Sequence, residues 1–75
     1  MIRYFLHVDC DGSMYMDADG QQFSDLKGAK AQANRIAREL AQEGSDYEGC
    51  WVCIADEQGN EWGRVSIGSD VNNVD

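Results

Sequence analysis

The sequence predicts a small α+β domain in which one helix packs on one face of a four-stranded antiparallel sheet, in the order ββαββ. Two observations predict it. Residues 2–8 and 50–56 both read as strands, and each is followed by an acidic turn that ends in glycine. Between them, one long segment repeats small apolar residues at steps of three and four, the period of a helix. A chain of 75 residues makes one domain.

The first hairpin is predicted from residues 2–16. Side chains in residues 2–8 alternate with period two, so one set faces a core and the other faces away. Residues 9–12 can close the hairpin, because Asp11-Gly12 tolerates the positive φ that such turns need. Residues 13–16 then form a shorter second strand, and residues 17–20 form another turn.

The helix is the element with the clearest pattern. Ser24 or Asp25 can cap its first turn, and Gly44 stands where a left-handed C-cap is wanted. The predicted apolar face consists of Leu26, Ala29, Ala33, Ile36, Ala37 and Leu40. Because this face is lined mostly with alanine, the helix can lie close against a sheet.

Residues 50–56 and 61–67 are the third and fourth predicted strands, joined by a turn at residues 57–60. Residues 68–75 are mostly polar and are predicted to be a disordered tail. The predicted domain is therefore residues 1–67.

The net charge of the chain indicates which classes of partner it can bind. Fourteen acidic residues against six basic ones give a formal net charge of −8, which disfavours nucleic acid and anionic membranes. The apolar run at residues 50–55 is too short to span a bilayer, and charged residues interrupt the first residues where a signal peptide would need an apolar core. We therefore expect a cytoplasmic protein whose three cysteines are reduced thiols.

Several short motifs resemble a known family. They are R-Y-F-x-H, a D-G turn, D-x-x-G before an aspartate-capped helix rich in alanine, and W-x-V-x-I-x-D-E-x-G. Matching positions are Arg3, Tyr4, Phe5, His7, Asp11, Gly12, Asp17, Gly20, Asp25, Ala29, Ala33, Ala37, Trp51, Val52, Ile54, Asp56, Glu57 and Gly59. Together they resemble a family of short, uncharacterised bacterial proteins over residues 2–67. The resemblance implies no activity, and the cysteines are not part of its pattern.

The histidine and the three cysteines are the residues that could form a metal site or a reactive thiol. His7, Cys10, Cys50 and Cys53 match the ligand count of a structural zinc site, but an extended chain points Cys50 and Cys53 to opposite faces. Cys50 precedes an acidic turn rather than opening a helix, which argues against thioredoxin-like reactivity. The carboxylates of the first turns lack the closing glutamate of an EF-hand. We predict no enzymatic activity, no cofactor and no metal site.

The sheet face away from the helix is the predicted functional surface. The sheet residues predicted to face the helix are Tyr4, Leu6, Val52, Ile54, Val65 and Ile67. By alternation the opposite face carries Phe5, His7, Trp51, Cys53 and Trp62. We predict that Phe5, His7, Trp51 and Trp62 form a protein interface, through which the chain forms a homodimer. This requires the first and third predicted strands to be neighbours. The alternatives are an antitoxin-like regulatory domain that binds a basic protein partner, and a Cys/His metal-binding protein.

Overall fold

The computed structural model describes residues 1–43 and 47–67, and this part of the chain forms a five-stranded sheet with one helix. The elements in chain order are β1 Ile2–Cys10, β2 Ser13–Tyr15, β3 Gln21–Phe23, α1 Leu26–Gln42, β4 Trp51–Asp56 and β5 Glu61–Ser66. The α+β class and the antiparallel sheet with one helix are confirmed. The predicted count of four strands is wrong, because residues 21–23 form a further strand, β3, that the sequence pattern does not indicate.

β1 is the central strand of the sheet. The strand order is β2-β1-β4-β5. β3 also pairs with β1, on the same edge as β2 but at the opposite end of the strand. β2 pairs with residues 8–10 of β1, and β3 pairs with residues 2–4. β3 is only three residues long and contains two glutamines, so it carries no apolar alternation from which it could be predicted. It forms because β1 extends beyond β2 and leaves part of its edge to be paired.

The helix begins as its sequence predicts. Asp25 is the N-cap, and its Oδ1 accepts a hydrogen bond of 3.0 Å from the amide of Gly28. Ala29, Ala33 and Ala37 are the buried residues of α1. The helix ends at Gln42, where the Glu43 amide bonds to the Leu40 carbonyl, and Gly44 lies outside the described residues.

The core lies between α1 and one face of the sheet. Its buried residues include Tyr4, Leu6, Val52, Ile54 and Ile67, and Val65 packs against them. These are the six sheet residues predicted to face the helix. Their burial contributes roughly 1.5–3 kcal/mol for each large aliphatic side chain. The alternation in β1 and β4 therefore assigns the two faces of the sheet correctly.

A disulfide joins Cys10 to Cys50 and corrects the prediction of three reduced thiols. Asp9 and Trp51 are Cα partners of β1 and β4, so the next pair along this antiparallel register is Cys10 and Cys50. Their Cα atoms are 4.3 Å apart. The bond could not be predicted because it depends on a strand register between residues 40 positions apart. Cys53 is a free, buried thiol.

No helix in residues 1–43 and 47–67 is long and apolar enough to cross a membrane. The predicted tail, residues 68–75, lies outside the described residues.

Candidate functional site

The candidate site is the sheet face that α1 does not cover, which we call the open face. The register of β1 and β4 places His7 opposite Cys53, Phe5 opposite Ala55 and Asp9 opposite Trp51. β1 and β4 correspond to the first and third predicted strands, which are therefore neighbours. Because side chains alternate along each strand, these six residues share the open face. The structure thus brings Phe5, His7 and Trp51 onto one surface.

The middle of the open face is covered by its own side chains. Cys53 is 3% exposed and Ala55 is 9% exposed, although no helix lies over them. Phe5 and His7 flank them from β1, and Arg64 is the Cα partner of Cys53 on β5. Burial raises the pKa of the Cys53 thiol, which keeps the group neutral. Trp51 is 39% exposed, so it is the exposed large apolar side chain of β4 on this face.

Asp17 forms hydrogen bonds to the edge of β1 in the gap between β2 and β3. Its carboxylate accepts hydrogen bonds from the amide of Leu6 at 3.2 Å and from the amide of Gly20 at 3.1 Å. Its own amide donates to Nδ1 of His7 at 2.9 Å. Residues 5–7 of β1 have no strand partner on this edge, so Asp17 satisfies the Leu6 amide, a backbone group that a longer β2 would have paired.

Alternate residues of β1 contact residues 17–20, which we call the Asp17 loop. Arg3 Nη1 donates a bond of 2.7 Å to the Asp19 carbonyl, and His7 accepts from Asp17. Gly20 has a φ of 71°, and a Cβ atom at this position would lie 2.8 Å from Cε2 of Phe5. Arg3, Phe5 and His7 of the R-Y-F-x-H motif therefore pack against the D-x-x-G motif. These two motifs build one corner of the fold.

The hydrogen bond to Asp17 limits what His7 can do chemically. The imidazole nitrogen Nδ1 accepts from a backbone amide, so in this bond it carries no proton and Nε2 is the ring's N–H donor. Metal-ligating histidines normally donate from the second nitrogen to an acceptor, which is the opposite arrangement. The His7 ring stacks on Phe5 with centroids 6.1 Å apart and an interplanar angle of 16°. His7 therefore offers the open face a flat ring and one N–H donor.

On the β5 side of the open face, Arg64 contacts Trp51 and two acidic residues. Its guanidinium lies 5.6 Å from the centroid of the Trp51 ring, within the range of a cation–π contact. Two bonds of 2.9 and 3.1 Å tie it to Glu61, and Asp9 lies 4.0 Å away. The hydrogen bonds from Arg64 hold the pKa of Glu61 below its usual range and, in return, raise the pKa of Arg64. Arg64 thereby holds one side of the Trp51 ring.

The structure does not bring Trp62 together with Trp51. Ser66 is the Cα partner of Trp51, so Trp62 lies four residues away, about 13 Å along the strand. A β-bulge at Ile54/Ala55 interrupts the alternation from which its face was predicted. The Trp62 indole donates a bond of 2.8 Å to Asp56, which also accepts from the amides of Gln58 and Asn60. Trp62 thus holds the β4–β5 turn.

The structure provides neither the ligand set of the predicted alternative metal site nor a contact between His7 and Cys10 that could form a nucleophilic site. A disulfide occupies Cys10 and Cys50, and those sulfurs are two of the four candidate zinc ligands. His7 and Cys10 are three residues apart on β1, so their side chains lie on opposite faces. In the described ranges, no three His, Cys, Asp or Glu residues are grouped as a metal site would need.

Sequence reasoning missed Asp17 and Arg64. The sequence predicts only a turn role for Asp17, because its partners lie on β1, ten and eleven positions earlier in the chain. The signal available for Asp17 was the D-x-x-G motif itself. Arg64 was not singled out, and only the alternation that places it beside Trp51 could have indicated it.

Comparison with known proteins identified one family. The family model described as "Domain of unknown function (DUF6894)" matches residues 3–68, which is most of the chain. No curated protein and no solved structure matched the chain.

Proposed function

The chain belongs to the DUF6894 family, and we propose that it is a non-catalytic interaction module whose open face binds a second copy of the chain. The observation that carries the proposal is the register of β1 and β4, which places Phe5, His7 and Trp51 on one helix-free surface. Each strand contributes alternate residues, so the surface is a single strip rather than scattered side chains.

Trp51 is the anchor of this proposed interface. Interfaces depend on a few well-packed side chains, among which tryptophan and arginine are over-represented. Trp51 has Arg64 against its ring and is 39% exposed, so its position is set before a partner arrives. An anchor that is already ordered loses little side-chain entropy when it is buried. Met14, which pairs with Asp9 on the other side of β1 and is 47% exposed, adds an apolar side chain to the same face.

The charges on the open face and the size of that face favour a second copy of the chain as the binding partner. The open face and its rim carry both signs, since Arg3 pairs with Glu57 at 3.7 Å and Arg64 pairs with Glu61 and Asp9. A surface with both signs can complement itself across a two-fold axis. The molecule measures 35 × 27 × 18 Å, and the short dimension is that of a sheet and one helix layer. Its broad face can therefore supply the roughly 800 Å² per partner of a standard interface.

The proposal is tested by sedimentation equilibrium on a matched pair of variants. Trp51→Arg places a charge at the centre of the proposed contact and is expected to weaken self-association at least tenfold. Tyr15→Arg is the control, because Tyr15 is also an exposed aromatic strand residue but pairs with Val8, which packs against the helix-side core. A wild-type chain that stays monomeric at 0.5 mM, or equal weakening by both variants, would contradict the proposal.

A basic protein partner is the second candidate, and the net charge of −8 favours it. Salt separates the two candidates. Two copies repel each other at long range, so added salt should strengthen a homodimer, whereas a complex with a basic partner should weaken. The sedimentation experiment repeated at about 50 and 500 mM NaCl therefore distinguishes them.

A further inference from the structure

The helix α1 carries most of the positive charge of an otherwise acidic chain. Four of the six basic residues lie in α1, and Glu39 is its one acidic residue, so the helix has a formal charge of +3. Subtracting this from the net charge of −8 leaves −11 on the rest of the chain. The basic residues of α1 are Lys27, Lys30, Arg35 and Arg38.

These four side chains lie along the side of α1 that faces solvent, which we call the basic face. All four are exposed, whereas the alanines of α1 are buried against the sheet. Three helical turns separate Lys27 from Arg38, a span of about 16 Å. Lys30 lies toward β5, where its Cε is 3.7 Å from the place that a Cβ atom of Gly63 would take. The basic face is therefore one continuous strip on the side of the sheet opposite the open face.

Three of the four cations have no acidic partner. Arg35 pairs with Glu39 at 3.7 Å. Lys27, Lys30 and Arg38 form no ion pair within residues 1–43 and 47–67. The chain has fourteen acidic residues, so the reason is their position in the fold and not their number.

The stability of the helix does not explain where these charges lie. A helix favours acidic side chains in its first turn and basic side chains in its last turn, because of its dipole. α1 has no acidic residue in its first turn and no basic residue in its last turn. Lys27 lies in the first turn and Glu39 near the end, which is the unfavourable order for both. A charge pattern that breaks a local rule with no gain inside the protein indicates a role outside it.

We propose that the basic face of α1 binds a short acidic segment of a partner protein. The length of the face favours a short ligand, because Asp25 precedes it and Glu39 and Glu43 follow it. A long polyanion, such as a nucleic acid or an anionic membrane, would meet these carboxylates and the −11 beyond them. An extended peptide of about five residues matches the span of 16 Å. The inference goes beyond the proposed function and does not depend on it, since the two surfaces lie on opposite sides of the sheet.

The test is an NMR titration of the ¹⁵N-labelled chain at about 20 mM NaCl. The probe is a hexaglutamate peptide with both termini blocked. Blocked hexalysine is the control of opposite charge, and a thymidine oligonucleotide with six phosphates is the competing class of ligand. Amide shifts locate the binding site, and their concentration dependence gives Kd.

Two matched variants separate the basic face from the overall charge. Lys27→Gln, Lys30→Gln and Arg38→Gln together remove the three unpaired cations. The control makes the same change of three charge units at exposed positions outside α1. It combines Ser13→Glu, Gln22→Glu and Gln58→Glu.

We expect hexaglutamate to shift amides of residues 26–39 and hexalysine to leave them unchanged. The glutamine variant should bind hexaglutamate about tenfold more weakly than the parent chain, and the control less than threefold more weakly. Raising the salt to about 500 mM should also weaken binding. The proposal would be overturned by shifts mainly outside α1, by equal weakening in the two variants, or by no shift at about 5 mM peptide. Tighter binding of the oligonucleotide than of hexaglutamate would assign the face to nucleic acid instead.

Discussion

The amide of Asp17 donates a hydrogen bond of 2.9 Å to Nδ1 of His7. This bond links the Asp17 loop to the middle of β1 and sets the proton of His7 on Nε2. The carboxylate of the same residue reaches back to the Leu6 amide. One aspartate therefore closes the edge of the central strand and fixes a side chain of the proposed interface.

Removing the Asp17 carboxylate should destabilise the fold. Asp17→Ala deletes the acceptor for the amides of Leu6 and Gly20, and hydrogen bonds to a charged acceptor contribute about 1.5–3 kcal/mol each. Because both bonds are only partly buried, we expect a loss of about 2 kcal/mol in chemical denaturation. Asp19→Ala is the control, since Asp19 uses its backbone carbonyl to bind Arg3. Equal losses in the two variants would contradict this role for Asp17.

Gly20 should tolerate alanine less well than Gly12 does. Both residues have positive φ, which costs a non-glycine residue roughly 1–2 kcal/mol. At Gly20 the new Cβ would also lie 2.8 Å from Phe5, whereas at Gly12 it meets nothing within 4 Å. Gly20→Ala should therefore cost about 1–3 kcal/mol more than Gly12→Ala in unfolding free energy. Thermal or urea unfolding of the two variants measures the difference, and identical midpoints would argue against the contact with Phe5.

Reduction of the disulfide should lower stability substantially. The bond closes a loop between residues 40 positions apart, and loop-closure entropy assigns roughly 4 kcal/mol to such a crosslink. Urea unfolding with and without a phosphine reductant measures the change. Cys53→Ala, which retains the disulfide, should show the same sensitivity to the reductant. A wild-type midpoint unaffected by complete reduction would contradict the prediction.

Trp62 should control the titration of Asp56. The indole hydrogen bond, together with those of Asn60 and Gln58, holds the pKa of Asp56 below its ordinary range. A depressed carboxyl pKa contributes stability at pH values above the ordinary pKa, and that contribution is lost as the pH falls through the depressed value. In an NMR titration, Trp62→Phe should therefore raise the pKa of Asp56, and Trp51→Phe should leave it unchanged. A shift in the second variant alone would refute the assignment.

Much of the fold could be predicted from local patterns. The helix cap at Asp25, the alanine face of α1 and the inward residues of β1 and β4 all follow from periodicity within one element. β3 could not be predicted in this way because it has no apolar alternation of its own.

Features that depend on pairing between distant segments were not predictable from the sequence. The disulfide needed the register of β1 with β4, and the separation of Trp62 from Trp51 needed the bulge in the β4–β5 pair. The link between Asp17 and His7 needed the two short strands that leave the middle of one β1 edge unpaired. Alternation therefore placed Phe5, His7 and Trp51 on one face, but it could indicate neither the separation of Trp62 nor the contacts made by Asp17 and Arg64.

The central claim is that the open face binds a second copy of the chain at Trp51. A dilution series of ¹⁵N–¹H spectra tests it directly, because the two tryptophan indoles are separate reporters. We expect the Trp51 indole resonance to shift with concentration, while the Trp62 indole, held by Asp56 at 2.8 Å, stays in place. Two indole resonances that are constant from 10 µM to 1 mM, or a shift confined to Trp62, would contradict the account.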